Sequence, residues 1–399
     1  MEHQQALLQE RPGVPWLLQL AMRPLSKIQC GSVVVKLPDG RQIHYRGPQA
    51  GQSATIEVRS YRLARRLLAG DIGLAEGFIH GDWDTPDLVS VLRFLAENQQ
   101  VVDGSKARLA WRLMQSVTHG LRRNTPAGAR RNIMAHYDLG NQFYSAWLDR
   151  SMTYSSAYRP EDSLAKGQQQ KYARITGIGD VRPGDRVLEI GCGWGGYMEH
   201  AARLGAHVTG ITISPAQLAY AQRRIAEAGL EGSAAATLRD YRDERGTYDR
   251  VVSIEMFEAV GEAYWADYFN VVARCLRSGG TAAFQIITID EKFFPRYRKE
   301  LDFIRHYIFP GGMLPTRRVL LDLAAKVGLE LTHEESFGAD YATTCRMWRN
   351  TFQEAWPAIA PLGFDEKFRR LWLYYFCYCE AAFLSGIANV RHLAFRKLA

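Results

Sequence analysis

The 399-residue sequence predicts an α/β fold, a doubly wound and mostly parallel sheet preceded by a smaller α+β domain. Three observations carry this expectation. Short apolar runs at 186–190, 207–211, 235–239, 250–254 and 281–287 alternate with helix-length stretches, as in a parallel sheet covered on both faces. The first run ends in a glycine-rich turn, Glu189-Ile190-Gly191-Cys192-Gly193-Trp194-Gly195-Gly196, with a helix-forming segment after it. The length also exceeds what one core usually fills, so a second domain is expected.

The glycine turn points to a cofactor. Glycines permit a tight turn and close approach of the backbone to a ligand, and the following helix offers free N–H groups. Such turns serve NAD, FAD and S-adenosylmethionine alike. Glu189, just ahead of Gly191 and Gly193, suits the cationic amino acid end of S-adenosylmethionine better than a pyrophosphate. The second run, 207–212, lacks the terminal acid that NAD sites place for a ribose. Asp240, after the third run, is placed to accept from an adenine amino group, and Tyr241 beside it is assigned to the same cofactor. S-adenosylmethionine is therefore the expected ligand, with a nucleotide-binding oxidoreductase as the competing reading.

The N-terminal part, residues 1–104, reads as the α+β domain. An apolar helical opening at 13–26 precedes two strands around Pro38-Asp39-Gly40, a further strand at Ala54–Val58 and a helix at 62–68. Another helix follows the start signal Thr85-Pro86-Asp87. This domain shows no catalytic constellation, and it is expected to be a scaffold or a lipid- and membrane-docking platform.

Composition is ordinary for a globular protein, 47% hydrophobic and 23% charged, and no apolar run approaches the ~20 residues of a membrane-spanning helix. With no signal-peptide pattern at the start, a cytoplasmic location is expected. The six cysteines match neither a disulfide framework nor zinc spacing, so no metal is expected. The net charge of +8 is unevenly placed. From Ser105 to His136 stand Lys106, Arg108, Arg112, Arg122, Arg123, Arg130 and Arg131 with no acid. Residues 105–131 read as a basic helical linker, fit either to lie on an anionic membrane surface or to dock between domains. Nucleic acid is not expected, because no recognition motif accompanies the basic run.

From residue 132 to 399 lies the expected catalytic domain, and here the motifs become specific. They are His136-Tyr137-Asp138-Leu139-Gly140-Asn141, Tyr154-Ser155-Ser156-Ala157-Tyr158, the glycine turn, Gly210-Ile211-Thr212-Ile213-Ser214-Pro215-Ala216-Gln217, Met256-Phe257-Glu258, Tyr307-Ile308-Phe309-Pro310 and Phe337-Gly338-Ala339-Asp340-Tyr341. In this order they resemble the cyclopropane-fatty-acyl-phospholipid synthase family, which includes the mycolic acid cyclopropane synthases. The resemblance implies a Rossmann-like class I methyltransferase domain acting on cis double bonds of unsaturated phospholipid acyl chains. It implies that Tyr137, Tyr154, Ser155, Gly191, Gly193, Thr212, Gln217 and Ile254 hold S-adenosylmethionine. It also implies a bicarbonate base held by Glu258, Tyr341 and the backbone N–H at Ser156. The family's bicarbonate-binding histidine aligns with Gln285, which keeps a donor but cannot become cationic. Ser156 replaces a cysteine, and Ala259 a histidine. Glu255 is expected to have no catalytic task.

An alkene is a poor nucleophile, so the site must align it with the sulfonium methyl, exclude water and tolerate a carbocation. Tyr137, Tyr154, Tyr158, Phe257 and Tyr341 are candidate aromatic faces for that cation. Loss of a proton from the transferred methyl closes a cyclopropane. Loss from a chain carbon gives a methyl-branched alkene, and loss from the methyl after a hydride shift along the chain gives a methylene product. The expected function is thus cyclopropane-type alkylation, peripheral on the inner membrane face and possible as a homodimer. The alternatives are the same transfer without ring closure, a non-catalytic protein binding lipid and S-adenosylmethionine, and methylation of a small amine.

Overall fold

The structure, a computed structural model, describes residues 13–100, 139–161 and 163–398. These form two compact units. The basic linker, 105–131, and Tyr137 lie outside the described residues.

The first unit gathers the described residues up to 100 with 300–303 and 363–385. Its sheet contains β1 (Cys30–Lys36), β2 (Gln42–Arg46), β3 (Gln49–Val58) and β4 (Trp83–Asp84) in the order β2-β1-β3-β4. β1 and β2 form the hairpin expected around Pro38-Asp39-Gly40, where Gly40 has φ +85°. The helix Leu88–Glu97 begins at Asp87, whose carboxylate accepts from Ser90 N at 3.1 Å, and buries Leu88, Val91, Leu92 and Phe94. The aromatic helix Glu366–Leu384 belongs to this unit, although the sequence places it in the catalytic domain. Its Tyr374 ring meets Phe78 at 5.8 Å and Phe303 at 4.8 Å. Arg370 lies 4.0 Å over the Phe78 ring and donates to the backbone carbonyls of Phe78 and Trp83. Aromatic burial and a desolvated cation–π contact thus join segments almost three hundred residues apart.

The second unit is the doubly wound sheet. Its strands are β5 (Arg186–Ile190), β6 (His207–Thr212), β7 (Ala234–Leu238), β8 (Tyr248–Ile254), β9 (Leu276–Ile289), β10 (Leu329–Ser336) and β11 (Ala388–Lys397), in the order β10-β11-β9-β8-β5-β6-β7. β5 to β9 pair in parallel, and β11 is antiparallel to both β9 and β10. Neighbouring strand residues point to opposite faces. Leu188, Val251 and Phe284 therefore pack with the helices Trp265–Cys275 and Arg317–Lys326, whereas Val187, Val252 and Ala283 pack with Leu164–Ile178, Gly196–Arg203 and Pro215–Glu227. The strand order reverses between β5 and β8, and the crevice beyond their carboxyl ends is where ligands bind in such sheets.

Among the described residues no helix is long and apolar enough to cross a membrane. All six cysteines are free thiols, with Cys192, Cys275, Cys345 and Cys377 buried.

Candidate active site

Beyond β5 the chain turns through Gly191 (φ +83°), Gly193 (φ +52°) and Gly195 (φ +82°) into the helix Gly196–Arg203. Side chains are strained at these angles. At Gly191 a Cβ would also come within 2.6 Å of the Met256 side chain, so the turn lies directly against the segment leaving β8. Glu189 is buried, and its Oε2 has no hydrogen-bond partner among the described residues. Burial raises its pKa to about 8, opposed by the charge of Lys171. At the end of β6, Thr212 Oγ1 donates to Gln217 Oε1 at 3.1 Å, and Ser214 caps the next helix through Gln217 N. An orphaned buried carboxylate oxygen beside a glycine turn and a helix N-terminus fits the cationic amino acid end of S-adenosylmethionine.

Asp240 is already engaged. Its Oδ1 accepts from Arg242 N and Nε, and its Oδ2 from Arg242 Nη2 at 2.6 Å, so an adenine amino group would share an occupied carboxylate. The Tyr241 ring packs edge-on against Tyr268 at 5.3 Å. Ile254 ends β8 opposite Gln285.

Across the crevice, the Tyr154 ring lies among Tyr144, Trp147 and Trp348, with centroids 5.3–5.6 Å away. Ser155 is held twice from the helix Leu164–Ile178, by Lys171 Nζ to its Oγ at 2.6 Å and by Gln168 Nε2 to its carbonyl at 3.0 Å. Lys171 is fully buried, which lowers its pKa to about 7. Neither residue was singled out in the sequence. The signal was present, since 168, 171 and 175 share one buried helical face on which two of three residues are polar.

On this side of the crevice a residue set aside in the sequence is central to the hydrogen bonding. Glu255, expected to have no task, is the carboxylate on which the other groups converge. Its Oε1 accepts from Ser156 N at 2.8 Å and Gln285 Nε2 at 2.7 Å, and its Oε2 accepts from Tyr341 OH at 2.6 Å. It holds a left-handed backbone conformation, φ +49°, which costs a non-glycine residue about 1–2 kcal/mol. Desolvation raises its pKa, while Tyr341, Lys171, Gln285 and Ser156 pull it down. Those contacts all favour the ionised form.

Three of the groups that the resemblance assigned to bicarbonate, Ser156 N–H, Tyr341 and position 285, thus donate to a side chain instead. A bicarbonate there would compete for the same donors against a negative charge, so that ion does not fit this site. Glu258 sits nearby with a different environment. Its Oε1 accepts from Ile287 N at 2.5 Å, and its Oε2 has no hydrogen-bond partner among the described residues. Desolvation first, then the charge of Glu255, raises its pKa to about 8. Glu255 and Glu258 are both half-buried.

A family model for mycolic acid cyclopropane synthetase matches residues 125–393. The chain belongs to that family. It is 39% identical over 344 residues to a tuberculostearic acid methyltransferase of Mycobacterium tuberculosis, covering 82% of this chain and 79% of the relative. It is 36% identical over 348 residues to a cyclopropane-fatty-acyl-phospholipid synthase of Escherichia coli, covering 83% and 84%. A mycolic acid cyclopropane synthase solved with SAH and CTAB superposes with a TM-score of 0.63 at 29% identity, over 67% of this chain and 98% of the other. A coclaurine N-methyltransferase at 19% identity shares the fold, with a TM-score of 0.63 over 81% and 99%. This family member is an S-adenosylmethionine-dependent methyltransferase with the class I α/β fold.

Proposed function

We propose that this enzyme methylates a cis double bond in an unsaturated phospholipid acyl chain, and that Glu255 accepts the departing proton in place of a bound bicarbonate. One observation carries the reading. The donors from Ser156, Gln285 and Tyr341 converge on the Glu255 carboxylate at 2.6–2.8 Å. Relatives named for tuberculostearic acid and for cyclopropane fatty acyl phospholipid support the substrate class.

When bound, S-adenosylmethionine supplies an electrophilic methyl group. Glu189, the glycine turn, Thr212, Gln217, Tyr154 and Ser155 would hold it. The rings of Tyr154 and Tyr341 would offer π faces to positive charge on the substrate, worth roughly 0.5–2 kcal/mol each, with the buried Trp147 and Trp348 packed against Tyr154. Burial raises the pKa of both carboxyls, but three donors and Lys171 pull Glu255 back towards its ionised form, whereas burial and the charge of Glu255 push Glu258 up to about 8. Two carboxylates with opposed environments thereby divide the work of base and neutral hydrogen-bonding acid. The carbon that yields its proton to Glu255 decides between ring and branch. Gln285, which cannot become cationic, still donates to Glu255 at 2.7 Å, which weighs against a non-catalytic protein.

The proposal extends to three further points. The N-terminal residues dock on lipid, the run Ser105–His136 contacts an anionic membrane surface from the cytoplasmic side, and the enzyme pairs as a homodimer. The test is incubation with unsaturated phospholipid vesicles and methyl-labelled S-adenosylmethionine, followed by fragmentation mass spectrometry of the fatty acids. Label in a cyclopropane, methylene or methyl-branched chain is expected. An unlabelled fatty acid fraction, under conditions where the cofactor binds, would refute the proposal.

A further inference from the structure

Sheet register writes a row of polar residues behind the base. Glu335 on β10 pairs with His392 on β11, His392 pairs with Gln285 on β9, and Gln285 pairs with Ile254, the residue before Glu255. His392 is fully buried at the centre of this row. Its Nδ1 lies 3.0 Å from Glu335 Oε1 and its Nε2 lies 2.8 Å from Gln285 Oε1.

The Gln285 amide is oriented from its other end. Its nitrogen is 2.7 Å from Glu255 Oε1 and 3.1 Å from the Ser156 carbonyl, both acceptors, so the N–H groups must face them and the amide oxygen must face the ring. Flipping the amide would set its oxygen against two other oxygens. On the far side Glu335 is ionised. Burial would raise its pKa, but His392 and Arg174 hold it well below the usual range, with Arg174 Nε at 2.5 Å and Tyr158 OH donating at 3.2 Å. The imidazole therefore meets an acceptor at each nitrogen, and a neutral ring carries only one N–H.

We infer that His392 is held as an imidazolium between Glu335 and Gln285 and is a positioning residue for Glu255. It locks the amide so that Gln285 donates to the base. It also supplies, one residue behind Gln285, the positive charge that a glutamine cannot carry. The inference rests on Glu255 being the base. The groups facing the ring are Glu335 from β10, Gln285 from β9, Arg174 and Lys171 from the helix Leu164–Ile178, and the rings of Tyr158 and Phe337. Burial first, then the two cations, hold the ring's pKa below its ordinary value although Glu335 opposes them, so the case for the cation rests on the two acceptors. The second acceptor, Gln285 Oε1, tips the balance because a neutral ring would leave one short contact without a proton.

Two measurements test this on the full chain with S-adenosylhomocysteine bound. In histidine-labelled ¹⁵N NMR between about pH 6 and 8, both ring nitrogens of His392 should be protonated, the signal being assigned by its loss in His392→Phe. A single neutral tautomer across that range would overturn the inference. In kinetics, His392→Phe should keep its S-adenosylhomocysteine affinity and vesicle KM while kcat falls about 10–100-fold, as commonly follows loss of a group behind a site. His392→Asn, which keeps an N–H donor without the charge, should recover part of the loss. Unchanged kcat in both variants would overturn the positioning role. Should the phenylalanine variant fail to fold, His392→Asn supplies the assignment in its place, and the NMR result on the unmodified enzyme still decides. Activity retained in Glu255→Gln would instead remove the base assignment, so the two failures are distinguishable.

Discussion

On the cofactor side of the crevice, the groups proposed to hold the cofactor come from short continuous stretches: Glu189, Gly191 and Gly193 in one, Thr212, Ser214 and Gln217 in another. On the base side, Ser156, Glu255, Gln285, Tyr341 and His392 come from five separate segments and meet only through sheet register and the helix Gly338–Ile359. The first half is built from local backbone geometry. The second is a network in which each group's role is set by the group behind it. A local motif therefore reveals the cofactor, while the proposed base depends on distant pairings.

Glu255→Gln should break the network half alone. Turnover with vesicles is expected to fall about 10²–10⁴-fold, the range for loss of a general base, with S-adenosylhomocysteine affinity little changed by calorimetry. Comparable losses of affinity and turnover would mean that the two halves are not separable. Gly191→Val should do the reverse. With φ +83° and a Cβ position 2.6 Å from Met256, cofactor affinity is expected to fall about 10–100-fold, roughly 1.4–2.7 kcal/mol, while kcat at saturating cofactor changes less.

A pH-dependent effect sharpens the contrast between Glu255 and Glu258. Folding raises the Glu258 pKa to about 8, so the folded protein keeps a proton that the unfolded chain loses near its ordinary value of 4.5. Its contribution to stability is full below about pH 4.5 and declines as pH rises towards 8. Glu258→Gln, which mimics the protonated form, should remove that decline. Urea unfolding should find the variant stabilised relative to the parent by roughly 3 kcal/mol more at pH 8 than at pH 5, one proton acting at about 1.4 kcal/mol per pH unit. An equal difference at both values would mean that Glu258 is ionised at neutral pH.

These two halves also account for what was legible in the sequence. The five parallel strands lie where the apolar runs place them, and the helices Leu164–Ile178 and Glu366–Leu384 agree to within a residue of the expected spans. The hairpin at Pro38-Asp39-Gly40 and the cap at Asp87 follow from local chemistry. β10 and β11 were not foreseen, because His333, Glu334, Glu335, Arg391 and His392 break the apolar pattern with residues that pair across the sheet. His392 falls in phase with the buried Val390 and Ala394, so alternation alone could have marked it. Glu255 could not be read in the same way. An acid just past a strand end has no local sign that it will adopt φ +49° and turn into a cradle of donors. Likewise, nothing near residue 370 signals that its partners are Phe78 and Trp83.

The assignment of Glu255 as the base is tested most directly by turnover in carbonate-free buffer under a carbon dioxide-depleted atmosphere, with and without added bicarbonate. A protein-borne base predicts the same rate in both. A rate that collapses on depletion and returns with bicarbonate would contradict it.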